Sequence, residues 1–167
     1  KHRERMEELQ TLLQLSKLLS SHRSLQEILD AITHSTAALL DVKASTIRLL
    51  SEDNTQLTLE SVHNLSMRYQ HKGPVPVNES RIAQGALRGE IVYVSALSRD
   101  SRTLYPEEAL REGIRSVLAT GMIHRGQAVG IMRVYTEEVK TFSKSESLKQ
   151  RNPILVRCQT NGLAQFQ

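Results

Sequence analysis

Two arginines stand where a strand-like pattern places them in mid-strand: Arg48 within "ASTIRLL" (44–50) and Arg133 within "GIMRVY" (130–135). Period-two alternation puts Ala44, Thr46, Arg48 and Leu50 on one face of the first strand. It puts Val129, Ile131, Arg133 and Tyr135 on one face of the last. A guanidinium in mid-strand needs water, a carboxylate or an anionic ligand, because burying it unpaired is costly. Glu60 is an available internal partner. The residues alone leave an Arg–Glu pair, a solvated edge and a ligand contact open.

Other chemistry is sparse. The chain has no G-x-S-x-G elbow, P-loop, G-x-G-x-x-G or H-E-x-x-H motif. The glycines of "RGQAVG" fall in a hairpin rather than between a strand and a helix, so they form no phosphate cradle. None of the six histidines (His2, His22, His34, His63, His71 and His124) makes a short metal-ligand pair, and no metal site is expected. His63 and His71 flank an irregular loop and are the residues that could reach a haem from its rim. Unpaired surface histidines are far more common than axial ligands. Cys158 has no histidine near it in sequence and is a poor nucleophile candidate. Glu107–Glu108 read most simply as acids complementing a helix N-terminus. With no assembled acid, base, nucleophile or metal set, an enzyme is not expected.

The elements that must hold these residues follow from periodicity. Residues 3–20 form an amphipathic helix with Met6, Leu9, Leu12, Leu13, Leu15, Leu18 and Leu19 on a wide apolar band. Such a band packs on its own domain or on the same helix of a second chain, and its place ahead of a complete domain favours pairing. After "SSHRS", a capping box Ser24-x-x-Glu27 opens a second helix that ends near Asp41. Its stripe is Leu25, Ile28, Leu29, Ile32, Thr36, Leu39 and Leu40. Strands are expected at 44–50 and 56–63, joined by the polar turn "SEDNT". Residues 64–79 contain "KGPVPV", which argues against regular structure. A short helix runs from a Ser80 cap to a Gly89 stop, and a strand is expected at 90–96. Pro106 then opens a helix closed by Gly113, and the hairpin 116–135 completes a mostly antiparallel sheet. This is an α+β arrangement with helices on the sheet's faces.

Bulk properties are consistent with one domain plus an extension. The 167 residues are 39% hydrophobic and 24% charged, as in a globular protein. The net charge of +4 is spread along the chain and aromatics make up 4%, so nucleic acid is not an expected partner. No apolar run approaches the roughly 20 residues that span a bilayer, and "KHRERMEELQ" lacks the apolar stretch of a signal peptide. With a single cysteine, the segment is expected to be cytoplasmic, without membrane contact. Beginning at Lys1, it is expected to be a piece of a longer protein.

The order of elements, with "ASTIRLL", "VNESRIAQGALRGEIVYVSAL", "YPEEALREGIRS" and "GQAVGIMRVY" in sequence, resembles the GAF domain. These are sensory and dimerisation modules of signalling proteins, and the closest-looking versions belong to bacterial sensor histidine kinases. The resemblance implies a GAF/PAS-like fold, with about five or six antiparallel strands and helices on both faces. It implies a signalling helix at 1–20, the domain at 21–147 and an atypical tail at 148–167. It implies homodimer pairing through Met6, Leu9, Leu12, Leu13, Leu15 and Leu19, and an output domain on the same polypeptide. A small-molecule pocket would be lined by Arg48, Tyr69, Ser80, Ile82, Val92 and Val94. Arg102 and Tyr105 would lie in its roof, with Ser116, Leu118 and Arg133 on its floor.

Departures from the family narrow the expected ligand without identifying it. The cyclic-nucleotide signature is incomplete, since "VKTFSKSE" keeps only Phe142 and Glu146. No cysteine within the domain could attach a bilin, and one cysteine cannot run the cycle of the GAF-like free methionine sulfoxide reductases. Gly121 stands where the family usually has proline, which is expected to loosen the end of its strand. Pro153 ends any helix near Arg151, so "SLKQRNPILVRCQTNGLAQFQ" lacks the family's C-terminal helix. A sensor reading requires convergent polar groups in an apolar-walled pocket. A filled pocket, or Arg133 paired with Glu60, would leave a ligand-free dimerisation module.

Overall fold

The structure, a computed structural model, describes residues 24–139. The expected pairing helix with Met6 to Leu19, and the tail with Cys158, lie outside the described residues.

Helix α1 covers 24–40. Leu29, Thr33, Thr36 and Ala37 form its buried inner stripe, whereas Leu39, assigned to that stripe by periodicity, is 73% exposed. The inward face is therefore narrower than the apolar pattern suggests. The helix stops where Asp41 turns left-handed (φ 50°) and Val42 N–H donates back to the Ala37 carbonyl at 3.1 Å.

Strands β1 (Ala44–Leu50) and β2 (Gln56–His63) form the first hairpin. Its turn is held by the Asp53 carboxylate, which accepts from Ser51 Oγ at 2.6 Å, Thr55 Oγ1 at 2.7 Å and Thr55 N–H at 3.1 Å. Residues 64–79, expected to be irregular, contain helix α2 (Met67–Gln70), strand β3 (Val75–Pro76) and a 3₁₀ turn (Val77–Glu79). Pro76 is tolerated because β3 is an edge strand whose other side needs no N–H. Helix α3 (Arg81–Leu87) is capped by Ser80, whose Oγ accepts from Ala83 N–H at 3.1 Å. Strand β4 is confined to Val92–Val94. Helix α4 (Pro106–Glu112) starts on its proline and ends at Gly113 (φ 76°). Strands β5 (Ser116–His124) and β6 (Gln127–Thr136) form the last hairpin.

Among the described residues six strands run in the order β3-β2-β1-β6-β5-β4, and every pairing between them is antiparallel. One face packs on α1 through Leu29, Ile47 and Met132. The other carries the larger core, with α3 and α4 contributing Ile82, Ala83, Ala86 and Ala109. Gly121 does not fray its strand. A Cβ there would stand 2.3 Å from the Ala86 carbonyl oxygen, so glycine lets α3 lie close on β5. Among the described residues no helix is long and apolar enough to cross a membrane.

Candidate functional site

The sheet face opposite α1 carries the two arginines of the sequence pattern. In the β1–β6 ladder Thr46 lies opposite Arg133, Arg48 opposite Ile131 and Ala44 opposite Tyr135. Arg48 and Arg133 are therefore diagonal neighbours on one face, a relation that keeps long side chains within reach. Both line a cavity of about 40 Å³ between the sheet and a roof formed by α2, the turn after it, and the loop leading into α4.

The roof is braced from a distance. Glu112, at the end of α4, accepts from Ser66 N–H and Ser66 Oγ, both at 2.6 Å, which pins the start of α2. This placement sets Tyr69 over the sheet, with its ring edge-on to Tyr135 at 6.3 Å between centroids. Lys72 follows, its Nζ 3.3 Å from the Tyr69 ring centroid and 4.8 Å from that of Tyr105. On the other side Arg102 is held by Asp100, with Nη2 to Oδ2 at 2.8 Å and Nε to Oδ1 at 2.9 Å, and its Nη2 also reaches the Tyr93 carbonyl at 3.0 Å. That bidentate pair raises the Arg102 pKa and lowers that of Asp100. Arg102 is thus a neutralised strut in the wall.

The remaining cations have no such partner. Arg48 is 5% exposed and donates from Nη1 to the Leu57 carbonyl at a long 3.4 Å. Burial lowers its pKa, Arg133 adds to the effect, and Tyr135 and Tyr69 oppose it. Arg133 has buried Nε and Nη2 atoms with no hydrogen-bond partner, and the Thr103 hydroxyl on the cavity wall is likewise buried and unpaired. No salt bridge among the described residues joins Arg133 to Glu60. Glu60 falls at a β-bulge in β2, where its carbonyl accepts from Gln26 on α1 at 2.8 Å. Burial, then the charges of Arg48 and Arg133, push the Lys72 ammonium down to about 8, against the pull of Glu108 and Glu112. Burial, followed by Tyr135, pushes the Tyr69 hydroxyl up, so that phenol stays protonated. Among the described residues no aspartate or glutamate lines the cavity.

The structure brings Arg48, Tyr69, Ser80, Ile82, Arg102, Tyr105 and Arg133 together on this cavity. Val92 and Val94 do not reach it; they are core residues, with Val92 packed so tightly under α3 that a Cβ on Gly85 would lie 2.7 Å from its Cγ2. Ser116 and Leu118 belong to the opposite face. Leu118 pairs with Val134 and Ser116 with Thr136, where the two hydroxyls hydrogen-bond. The residue that points from β5 into the cavity is Val117. "SVLATGM" is apolar at both parities, so only the pairing with β6 fixes its phase. Lys72, Thr103 and Leu104 were not anticipated, because tertiary bracing rather than local pattern brings them to the roof. His63 does not stand at the rim. It meets His34 of α1 edge-on, with their Nδ1 atoms 3.3 Å apart, and His71 is exposed at the end of α2.

An antiparallel sheet covered by helices, with a roofed cavity on one face, is the α+β architecture that carries these residues. The chain belongs to the GAF domain family, whose sequence profile matches residues 22–148. No curated protein sequence matches it. Similar solved structures include the GAF domain of an Acinetobacter phosphoenolpyruvate-protein phosphotransferase, at 22% identity and TM-score 0.64 over 89% of this chain and 87% of that one. A domain from Sinorhizobium meliloti 1021, described as part of a two-component sensor histidine kinase, is 19% identical with TM-score 0.62, covering 80% and 84%. A type II free methionine-R-sulfoxide reductase from Thermoplasma acidophilum is 11% identical with TM-score 0.64, covering 82% and 89%. At these identities the likeness is one of fold.

Proposed function

We propose that this GAF domain is a non-catalytic sensor that binds a small molecule between its sheet and roof. Terminal helices carrying Met6, Leu9, Leu12, Leu13, Leu15 and Leu19 pair two copies in the cytoplasm. A bound ligand favours one arrangement of sheet and helices, and the paired helices pass that bias to an output domain of the same polypeptide, a histidine kinase or comparable signalling enzyme. The observation that carries the reading is that Arg133, which lines the cavity, keeps its buried Nε and Nη2 without a partner, while no carboxylate among the described residues lines that cavity. Leaving such donors unsatisfied costs about 1–3 kcal/mol or more, a cost that a ligand offsets on binding. The reductase among the structural relatives shows that the fold can host an enzyme. Here the cavity is lined by arginines, tyrosines and Lys72, and no aspartate, glutamate, histidine or cysteine among the described residues lines it with them, which supports binding over catalysis.

The second reading is a ligand-free dimerisation module, and the small cavity, about 40 Å³, favours it. A thermal-shift screen with carboxylates, phosphates, nucleotides, haem and common metabolites separates the two. Sensing predicts stabilisation of several degrees by at least one class, lost in Arg133→Ala, because a ligand at about 100 times its Kd adds about 2.7 kcal/mol. Flat profiles throughout, unchanged by Arg133→Ala, would refute sensing. Sedimentation of the same samples reads the pairing, which a monomer mass would refute.

A further inference from the structure

We propose that the cavity is shaped for a compact carboxylate, its acid head held side-on by Arg133 and its short apolar body lying against the walls. This rests on the reading of the cavity as a ligand site and narrows it to one chemical class. The two unpartnered nitrogens of Arg133, Nε and Nη2, belong to the same edge of the guanidinium. That edge offers two parallel N–H donors, which match the two oxygens of a carboxylate in a bidentate pair. Arg48 stands diagonally beside it on β1, buried and held only by a long bond to a carbonyl, so its charge adds to the same point. Lys72 lies on the roof side, its ammonium resting on aromatic rings rather than on an acid. Three cations thus converge where no carboxylate among the described residues lines the wall, and an anion relieves their mutual repulsion. The unpaired hydroxyl of Thr103 supplies one more hydrogen-bonding group in the same space.

Size and lining narrow the choice further. A water needs roughly 10–15 Å³ of such space, so about 40 Å³ takes a head of a few atoms and excludes a nucleotide or tetrapyrrole with the roof in place. Ile82, Leu97, Leu104 and Val117 form an apolar wall, which a bare inorganic anion leaves uncovered and a short carbon body would use.

The test is calorimetric titration and thermal shift at constant ionic strength and pH 7, with acetate, propionate, butyrate and succinate as probes. Each is compared with its uncharged amide, and inorganic phosphate forms a separate arm. The expected result is at least tenfold tighter binding of a carboxylate than of its amide. Arg133→Lys, which keeps the charge and removes the two-donor edge, should weaken that binding at least tenfold while leaving the unliganded melting temperature within a few degrees. Amides binding as well as acids, or phosphate binding more tightly than every acid, overturns the carboxylate assignment and leaves the ligand site standing. No binding by any probe overturns the assignment. The broader screen of nucleotides, haem and metabolites then decides separately whether the cavity is a ligand site at all.

Discussion

On the α1 face of the sheet the buried hydroxyls of Thr33, Ser45 and Ser61 complete one another's hydrogen bonds, whereas on the opposite face Arg133 and Thr103 keep buried polar atoms without a partner. Thr33 Oγ1 lies 2.9 Å from Ser61 Oγ, which donates to Asp30 at 2.6 Å, while Ser45 Oγ donates to the Thr33 carbonyl at 2.5 Å. Both faces belong to the same six strands and both bury polar groups in apolar surroundings. They differ in where the partners come from. Native structures satisfy most buried polar atoms, so the unpaired ones of Arg133 and Thr103, two residues that line the same cavity, stand out. The first face is internally satisfied, and the second carries the unpaired donors on which the proposed ligand site rests.

The contrast is sharpest in paired substitutions at adjacent positions of β1, whose side chains point to opposite faces. Ile47 is fully buried against Leu29 and Met132, and Ile47→Ala should destabilise the fold by about 2–5 kcal/mol through lost burial and a cavity. Arg48→Met should do the reverse. Exchanging a buried, weakly held charge for an apolar side chain of similar length should be neutral or stabilise by about 1–4 kcal/mol, while abolishing stabilisation by any anionic ligand. Urea denaturation of the two variants reads both signs. If Arg48→Met destabilises as severely as Ile47→Ala, the arginine is a structural group and the contrast between the faces collapses.

A smaller effect probes the closed network. Thr33→Val keeps the shape and removes one hydroxyl partner from Ser61, whose bond to Asp30 remains. The expected loss is about 1 kcal/mol, the usual net worth of a buried hydrogen bond. The equivalent change on the other face, Thr103→Val, should cost nothing or stabilise slightly, since that hydroxyl is already unpaired.

What the sequence disclosed follows the same division between local and distant causes. The Asp53 turn, the Ser80 cap and the Pro106–Gly113 helix were legible because each is specified within a few residues. Shared faces of β1 and β6 were legible because Arg48 and Arg133 interrupt otherwise apolar alternation. The phase of β5 was not, because "SVLATGM" offers apolar residues to both sides. Nor was β3, a two-residue strand that exists only because β2 presents an edge to it. Glu60 looked like a partner for Arg133 until the bulge between Ile47 and Arg48 changed the register of β2. Lys72 was invisible for a related reason: the bond that sets the roof joins Ser66 to Glu112, far apart in sequence. Gly121, read as a weak point, is where α3 needs room.

The smallest predicted effect tests whether Lys72 shares the charge strain of its face. The groups acting on it are Arg48 and Arg133 from the sheet, Glu108 and Glu112 from α4, and the rings of Tyr69 and Tyr105. Its folded pKa of about 8 lies below the ordinary lysine value of 10.5, so the folded state releases this proton before the unfolded state does. Between those two values the unfolded chain binds more protons, and stability contributed by this group must rise with pH across that window. Below about pH 8 both states hold the proton and the contribution is flat at its least favourable level. Solvent screens the partly exposed ammonium, so the rise should stay near or below about 1 kcal/mol. Lys72→Met should remove the rise and leave the slopes of other groups intact, as read by urea midpoints from pH 7 to 10. A bound carboxylate should hold the proton on Lys72 and shift the window upward, so acid affinity should weaken as pH climbs past 8. An unchanged pH profile in Lys72→Met would place this lysine outside the cationic cluster, leaving the two arginines to carry the face alone.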